Sequence, residues 1–378
     1  MSRPRMRPRD PILRRSRPEA PPDRDGGALS RTYHARRRRR GLYLLGAVLA
    51  LVCTALAACC MGVADLTPGR LLATWLPPLG DLLSAQPLDR TERNVLLMLR
   101  LPRVAMAVVA GAGLGVSGTV MQAITGNSMA SPFTTGLSNA AALGAALVIL
   151  FGGFPVYLQE TATVLAAFAM ALLCAALVYG ISSLRGLGPE TLVLTGIALN
   201  YLFNAVNSSM QYIANEQQLP AIVHWTFGSL TAASWRDIGV MAVFLALVYP
   251  LFASKAWAMN LMASNGDESA AALGVNVRDT RLALGIGVAL LTASVVSFTG
   301  IIGFVGLVAP HIARMLIGGD HRILLPFSAL CGSILVLAAD TVGRVAFSPT
   351  TLPVGIVVSY VGVPLFLYLI LRERWGRT

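Results

Sequence analysis

The feature that most limits how this chain can fold is a series of about ten apolar stretches, each roughly 20 residues long. An α-helix rises about 1.5 Å per residue, so one such stretch can cross the ~30 Å hydrocarbon core of a bilayer. The pattern predicts an all-α polytopic membrane protein with about ten transmembrane helices. The predicted spans are Leu42–Val63, Val104–Met121, Phe133–Phe151, Thr161–Ser182, Leu192–Ile213, Ile238–Trp257, Leu282–Phe298, Ile301–Ile317, Leu324–Val345 and Val354–Leu371.

The seventh and eighth spans come from one apolar stretch that runs from Leu282 to Ile317. As a single helix this stretch would be about 54 Å long, far more than the ~30 Å core. Three glycines in its middle, Gly300, Gly303 and Gly306, offer a place for the chain to turn. We therefore expect two helices here.

The composition supports a membrane protein, because 55% of the 378 residues are hydrophobic and only 13% are charged, with a mean hydropathy of +0.66. No soluble domain of this size needs so much apolar sequence. Much of the net charge of +12 lies in the first forty residues, which are rich in Pro, Arg and Gly. We expect residues 1–40 to be a disordered, solvated cytoplasmic tail whose arginine cluster sets the topology, with no nucleic-acid partner; contact with anionic membrane lipid is the alternative role. Residues 41–378 then form the transmembrane domain.

The start of the first span resembles a lipoprotein signal peptide, because an arginine run is followed by an apolar stretch and the letters LAAC at Leu56 to Cys59. The apolar stretch continues to Val63 and many spans follow, so we interpret it as a transmembrane helix. Cysteines occur only inside apolar runs, without the spacing of metal ligands or disulfides, which predicts packing roles. They are Cys53, Cys59, Cys60, Cys174 and Cys331.

An even number of spans places both termini on one side of the membrane, and both terminal segments are basic. The excess of Lys and Arg on cytoplasmic segments predicts that both termini are cytoplasmic, in a multi-pass protein of the cytoplasmic (inner) membrane. Other basic residues then also fall inside: Arg185, Lys255, Arg278, Arg281 and Arg322. The first outer loop, Ala64 to Arg103, has mixed charge.

The segment "NGDESAAALGVNV", Asn265 to Val277, predicts a short helix between two spans. Asn265 can cap its start, Glu268 can be the reciprocal capping partner, and Gly274 can end it. It is too short and too polar to cross a bilayer. The predicted topology makes it cytoplasmic, so its partner should be a cytoplasmic protein.

The chain has no phosphate-binding loop, no HExxH and no GxSxG. We expect no catalytic residue, cofactor or metal site, and active transport would need energy from a partner or an ion gradient. Histidines occur singly, away from any cysteine cluster, and only His311 lies near a span. They are His34, His224, His311 and His321.

The fifth span contains four amide side chains at helical spacing, Asn200, Asn204, Asn207 and Gln211. The spacing places them on one helix face. Amides facing lipid would be costly, so this amide stripe should face a wet translocation pathway or hydrogen-bond to other helices. The sequence alone does not separate these two interpretations.

Charged residues also occur close to the ends of two spans. Arg100 and Arg103 flank the start of the second span, where lipid headgroups could bind them. Asp340 and Arg344 lie four residues apart in the ninth span, which predicts a local ion pair.

Five motifs occur in an order that resembles the FecCD-type family of ABC-transporter permeases, which import ferric siderophores, haem and cobalamin. The resemblance covers about Leu42 to Arg372. The motifs are "RLPRVAMAVVAGAGLGVSGTVMQAITGNSMASPFTTGLSNAAALGA", "WTFGSLTAASW", "GDESAAALGVNV", "FTGIIGFVGLVAPHIARML" and "ADTVGRVAFSPTTLPVGIVVSYVGVPLFLYLIL".

The resemblance implies ten membrane helices per subunit, a homo- or heterodimer of permease subunits, cytoplasmic ATPase subunits and an extracytoplasmic solute-binding protein. The short helix matches the family's coupling helix, which contacts the ATPase through Asp267, Glu268, Ala271, Leu273 and Gly274. The arginines that receive acidic residues of the binding protein match Arg100, Arg103 and Arg344. An inner gate matches Pro189 and Glu190, where the family commonly has Ser or Thr.

We therefore predict a permease subunit, not itself an enzyme, that imports a ferric siderophore with ATP hydrolysed by a partner; haem and cobalamin are the next cargoes. An ion-gradient-driven secondary transporter is the alternative and would need acidic residues in the middle of a span. Glu190 and Asp340 lie near span ends instead. An intramembrane enzyme would need a nucleophile–base pair or a metal cluster, and the sequence has neither.

Overall fold

The computed structural model describes residues 26–61, 67–75, 86–347 and 350–375, and every regular element in these ranges is helical. A π-helical turn, Val95–Arg100, precedes α4, and a 3-10 turn, Pro132–Thr135, precedes α5. The α-helices are α1 Gly26–Cys60, α2 Pro68–Trp75, α3 Arg90–Asn94, α4 Leu101–Thr125, α5 Leu137–Phe151, α6 Val156–Ser183, α7 Pro189–Ile213, α8 Gln218–Thr226, α9 Trp235–Ser254, α10 Ala256–Ala272, α11 Val277–Thr299, α12 Val305–Ile317, α13 His321–Val345 and α14 Val354–Trp375.

Each predicted span corresponds to a helix, which confirms an all-α polytopic membrane protein. In the part of the chain that the structure describes, six helices are long and apolar enough to cross a membrane, and three further apolar helices are shorter. Helix α7 has 25 residues, but its amide side chains lower its hydropathy. The shorter helices are Leu137–Phe151, Val305–Ile317 and Val354–Tyr368.

Two predicted spans are shorter as helices because the backbone turns inside them. The third span begins as the 3-10 turn, and Gly136 (φ 83°) separates this turn from α5. The eighth span becomes helical only at Val305, since Gly300 (φ 68°) ends α11 and Phe304 has φ 62°. The predicted turn is therefore confirmed near Gly300, but Gly306 lies inside α12.

The predicted outer loop, residues 64–103, is largely helical where it is described. Asp89 caps α3 through a capping box with Glu92, and α3 continues through the π-helical turn into α4. Pro102 has no N–H to donate to the preceding turn, and it directly follows the π-helical turn, where the regular α-helical hydrogen bonding is already interrupted. The loop was predicted because the stretch lies between two apolar spans; within it, Asp89 caps α3 and Arg70 forms an ion pair with Glu92.

The chain divides into two units after Leu42, and the described part of the first unit, 26–42, is one stretch of helix. Residues 26–40 of the predicted tail are helical here, and the assignment of residues 1–40 as a disordered tail stays a prediction. The last proline of the predicted tail is Pro22, and the arginine run that follows has good helix propensity and leads directly into the span. Residues 1–25 lie outside the described part.

Helix α4 lies at the centre of the second unit because its glycines allow neighbouring backbones to approach closely. A Cβ atom at Gly111 would overlap the carbonyl oxygen of Gly332 in α13, and one at Gly118 would overlap that of Gly306 in α12. Small residues of this kind are what lets helices pack tightly within a bilayer. The two ends of α4 therefore anchor both sites described below.

Candidate functional site

The predicted site residues lie at two opposite ends of α4. The α10 face comprises the C-terminal end of α4, the α6–α7 loop, α10 and the start of α11. The arginine face comprises the C-terminal end of α1, the start of α4 and the last turns of α13.

On the α10 face, helix α10 is broken at Gly266, whose φ of 77° and ψ of 174° are not helical. The two parts pack against each other through Ala258, Met262, Ala270 and Val275, which are buried together. The predicted start of the short helix is thus off by one residue, because a glycine is the residue that accepts this backbone conformation. The side chain of Asn265, the predicted cap, lies outside the described residues.

The short second part of α10 ends as predicted at Gly274, in the left-handed conformation with φ 89°. Its N–H donates to the carbonyl oxygen of Ala271 (2.9 Å), and that of Val275 donates to Ala270 (3.1 Å). This pair of hydrogen bonds is a Schellman motif, and the burial of Val275 beside Ala270 is the apolar contact that accompanies it.

Four of the five predicted ATPase-coupling residues are exposed on this part of α10. Leu273 has 56% of its surface exposed, and Glu268, Ala271 and Gly274 are also exposed. An exposed leucine on a short, rigidly ended helix provides an apolar contact point for another protein.

The fifth residue, Asp267, faces the membrane helices instead. Its Oδ1 accepts a hydrogen bond from Nη2 of Arg281 at 2.6 Å. The Arg281 side chain is 4% exposed and that of Asp267 is 40% exposed. The ion pair therefore attaches the exposed part of α10 to α11.

Arg281 also binds two backbone carbonyl oxygens from other elements. Its Nε donates to Ile124 at the end of α4 (2.8 Å), and its Nη1 donates to Leu187 in the α6–α7 loop (3.1 Å). Leu187 is fully buried and has φ 59°, a rare conformation for a residue with a side chain. The predicted gate residues follow it: Pro189 is the first residue of α7, and Glu190 is exposed in its first turn.

A second contact joins the first part of α10 to α13. The Asn260 amide donates to Oδ1 of Asp320 at 2.9 Å, and its Oδ1 accepts from the backbone N–H of His321 at 2.8 Å. The two parts of α10 are therefore anchored to different membrane helices.

On the arginine face, two of the three predicted docking arginines, Arg100 and Arg344, contact the last turn of α1. Arg100 donates to the carbonyl oxygens of Cys59 and Cys60, and is only 6% exposed. Arg344 donates to those of Ala58 (2.9 Å) and Met61 (3.1 Å). These contacts satisfy carbonyl groups that have no partner within the helix.

Arg103 and Asp340 form a bidentate ion pair between α4 and α13. Both carboxylate oxygens lie 2.9 Å from Arg103 Nε, and Oδ1 lies 2.8 Å from Nη2. The predicted local pair of Asp340 with Arg344 is present at 3.9 Å. The main partner of Asp340 is therefore Arg103, more than two hundred residues away, which helical spacing could not reveal.

The amide stripe of α7 divides between two environments. Asn139 of α5 donates to Oδ1 of Asn200 at 3.0 Å, and Asn207 donates to the carbonyl oxygen of Asn139 at 2.8 Å. Asn204 is exposed, and Gln211 is half-buried. Two of the amides thus hydrogen-bond between helices, and Asn204 is exposed on the surface of α7.

A cavity of about 330 Å³ lies beside the stripe, between α7 and the segment after α4, and Asn127, Thr134, Asn200 and Tyr201 contribute to its lining. Within the described ranges, no three His, Cys, Asp or Glu side chains lie close enough to hold a metal ion.

Sequence reasoning missed two residues, Arg281 and Asn139. Arg281 had been noted only as a basic residue of the cytoplasmic side. A helical pattern could have identified it, because Gly285 and Val288, which follow it by four and seven residues, are buried on the same face of α11. Asn139 had no such indication, since its partners lie on another helix.

Comparisons with known proteins agree with this architecture. Residues 47–372 match the FecCD transport family. The hemin transport system permease protein of Yersinia pestis is 40% identical over 75% of this chain and 85% of its own length. The Fe(3+)-citrate import system permease protein of Bacillus subtilis is 34% identical over 89% and 97%, respectively. A solved inward-facing structure of a metal-chelate type ABC transporter has a TM-score of 0.76 and 33% identity, covering 88% of this chain and 99% of that one. The chain therefore belongs to the FecCD transport family.

Proposed function

We propose that this chain is the membrane-spanning permease subunit of an ATP-driven importer for a metal chelate, with a ferric siderophore as its main cargo. The observation that carries the proposal is the α10 face. It presents a short helix with a fixed end and an exposed Leu273, and this helix is bound to the membrane helices through Asp267. Such a surface suits a cytoplasmic ATPase, whose closure would move the helix and thereby the bundle.

The relatives support an iron chelate as cargo. The hemin and Fe(3+)-citrate permeases both belong to systems whose cargo is iron held by an organic ligand. A ferric siderophore has the same chemistry, and haem and cobalamin are the alternatives.

A secondary transporter driven by an ion gradient is less well supported. It would place ionisable groups in the middle of its spans. Glu190 lies in the first turn of α7, and Asp340 lies near the end of α13 within an ion pair with Arg103.

The assembly follows from the family. We expect two permease subunits, two cytoplasmic ATPase subunits and an extracytoplasmic binding protein, in the inner membrane with both termini in the cytoplasm. The α10 face would then be cytoplasmic and the arginine face extracytoplasmic.

The pathway is proposed to run along the amide stripe, with Asn204 lining it and Asn200, Asn207 and Gln211 beside it. Pro189 and Glu190 are proposed as the inner gate, because they begin the same helix at the α10 face. The exposure of Asn204 and Glu190 supports this assignment.

Docking of the binding protein is proposed at Arg100, Arg103 and Arg344. Arg103 and Arg344 retain 15% and 13% of their side-chain exposure, so acidic residues of a partner would compete with Asp340 for them. Because Arg100 is buried against α1, docking is tested best with Arg103→Lys/Arg344→Lys. This variant keeps both charges and loses the planar fork. Weaker binding of the binding protein at low salt, with intact thermal stability, would support the docking role of these arginines. Unchanged binding would contradict it.

The whole transporter tests the function directly. It is purified from its host through a tag on this chain and reconstituted into liposomes. Uptake of a radiolabelled ferric siderophore is measured with ATP, without ATP and with an imposed ion gradient, beside hemin and cobalamin. Uptake that needs ATP and ignores the gradient is expected. Uptake driven by the gradient alone would contradict the proposal, and preference for hemin or cobalamin would correct the cargo.

A further inference from the structure

We infer that Arg281 is a positioning residue that transmits movement of α10 to the α6–α7 loop, and through it to the start of α7. The inference rests on the proposed function, because it assigns a route between the ATPase-contacting helix and the proposed inner gate.

The three donor groups of this one guanidinium reach three separate segments. Nη2 binds the carboxylate of Asp267, Nη1 binds the carbonyl oxygen of Leu187, and Nε binds that of Ile124. Ile124 belongs to the central helix α4 and provides a fixed support. The other two contacts connect α10 with the loop that leads into α7.

Burial makes this connection stiff. The Arg281 side chain is 4% exposed, so water cannot replace a broken hydrogen bond, and a buried charge without partners is costly. When α10 moves, Asp267 moves with it. Arg281 must then follow and pull on the Leu187 carbonyl, or lose a charge-assisted hydrogen bond of 2.6 Å. A lysine could not maintain this geometry, because its donors lie on a single nitrogen atom.

The loop at the other end of the connection can change conformation. Leu187 is held at φ 59°, which for a residue with a side chain is less stable than a right-handed conformation. Its N–H donates to the carbonyl oxygen of Ser182 (2.8 Å), and its own carbonyl is held by Arg281. Release of the Arg281 contact would let Leu187 leave this conformation two residues before Pro189 begins α7.

The contact of Asn260 with Asp320 provides a matched comparison. It also anchors α10 to a membrane helix, at 2.9 Å, but it lies before the break at Gly266 and leads to α13. Removing it should loosen α10 without affecting the α6–α7 loop. Arg278 provides a second control, because it is an exposed arginine on α11 one turn before Arg281.

The experiment uses the transporter purified through a tag on this chain and reconstituted into liposomes. Asp267→Ala, Arg281→Lys and Arg281→Gln are compared with Asn260→Ala and Arg278→Gln. Three quantities are measured: ATP hydrolysis, uptake of a radiolabelled ferric siderophore that is isolated from the culture medium of the host, and nucleotide-dependent hydrogen exchange of residues 183–188. Thermal stability is recorded for every variant.

We expect Asp267→Ala and both Arg281 variants to hydrolyse ATP while uptake per ATP falls about tenfold, within the usual range of coupling between sites. The 183–188 loop should stop responding to nucleotide, whereas α10 still responds. The Asn260 and Arg278 variants should keep the loop response. If Arg281→Gln does not fold, the result for Asp267→Ala decides whether the inference holds. The Asp267 side chain is 40% exposed, so its removal should not prevent folding.

Normal uptake per ATP and a normal loop response in Asp267→Ala would overturn the inference and leave the proposed function intact. The same loss in the Asn260 variant would also overturn it, because any loosening of α10 would then suffice. A wild-type transporter without ATP-dependent uptake would overturn both.

Discussion

Arginines bind backbone carbonyl groups at the end of a helix on both faces of this protein, yet the two arrangements differ in what they connect. On the arginine face, the last four carbonyl groups of α1 all have partners. Ala57 accepts from the N–H of Met61, Ala58 accepts from Arg344, and Cys59 and Cys60 accept from Arg100. On the α10 face, Arg281 does the same for Ile124 of α4.

The difference lies in the number of separate segments that each arginine joins. Arg100 and Arg344 both bind carbonyl groups at the C-terminal end of one helix, which suits a clamp that holds α1 in place. Arg281 binds α4, the α6–α7 loop and α10 at once, which suits a connection between moving parts. Loss of the first kind of contact should appear as lower stability, and loss of the second as lower coupling.

The largest effect on stability is expected at Asp340, which is 3% exposed and neutralises Arg103. Asp340→Ala leaves buried positive charges without their carboxylate, and breaking a buried ion pair costs about 3–5 kcal/mol. Thermal unfolding of the purified permease measures this, with Asp340→Asn as the matched variant that keeps an acceptor. Equal stability of Asp340→Ala and the wild type would show that the pair does not hold α4 and α13 together.

Arg100→Gln should have the next largest effect. It leaves carbonyl groups of Cys59 and Cys60 without their donor, at a cost of about 1–3 kcal/mol for unsatisfied buried groups. Hydrogen exchange at the end of α1 should rise, while the 183–188 loop should keep its response to nucleotide, because Arg100 lies on the opposite face from Arg281. A loss of coupling without a loss of stability would break the distinction between the two faces.

Gly274→Ala should cost about 1 kcal/mol, because φ 89° is unfavourable for any residue with a Cβ. Open space surrounds the position, with no atom within 4 Å of an added Cβ, so only the backbone conformation is tested. Gly274→Asn is the control, since asparagine tolerates the left-handed region. We expect hydrogen exchange of the Val275 amide to be faster in the alanine variant than in the wild type, with a smaller increase in the asparagine variant. No difference between the two would contradict the role of the Schellman motif.

The sequence predicted what depends on local pattern. Apolar stretches predicted the helices, and Gly274 predicted the end of the short helix, because both features depend on residues that are close in the sequence. Contacts between distant segments had no such indication. The Arg103–Asp340 pair and the three contacts of Arg281 depend on how α4, α11 and α13 pack, which periodicity does not determine.

The same reasoning explains why the arginines seemed exposed. Arg100 and Arg103 lie at the predicted start of a span, where snorkelling to lipid is the usual expectation. The helical turns before α4 extend this helix, so both side chains lie beside α1 and α13. A single interfacial position could not show that neighbouring helices would cover it.

The smallest effect is expected for Glu92→Gln, and it tests whether burial explains the size of the effect at Asp340. Arg70 and Glu92 also form a bidentate pair, through Nη1 and Nη2 instead of Nε and Nη2, with both hydrogen bonds at 2.6 Å, but their side chains are 31% and 23% exposed. Water and salt weaken such a pair, so its loss should cost about 0.2–1 kcal/mol and less at high salt. Glutamine can still accept from the N–H of Asp89, which keeps the capping box of α3. Thermal unfolding at low and high salt measures both variants side by side. If Glu92→Gln destabilises the protein as much as Asp340→Ala does, burial does not set the energy of these ion pairs. The buried pair of the arginine face would then stabilise the protein no more than an exposed pair does.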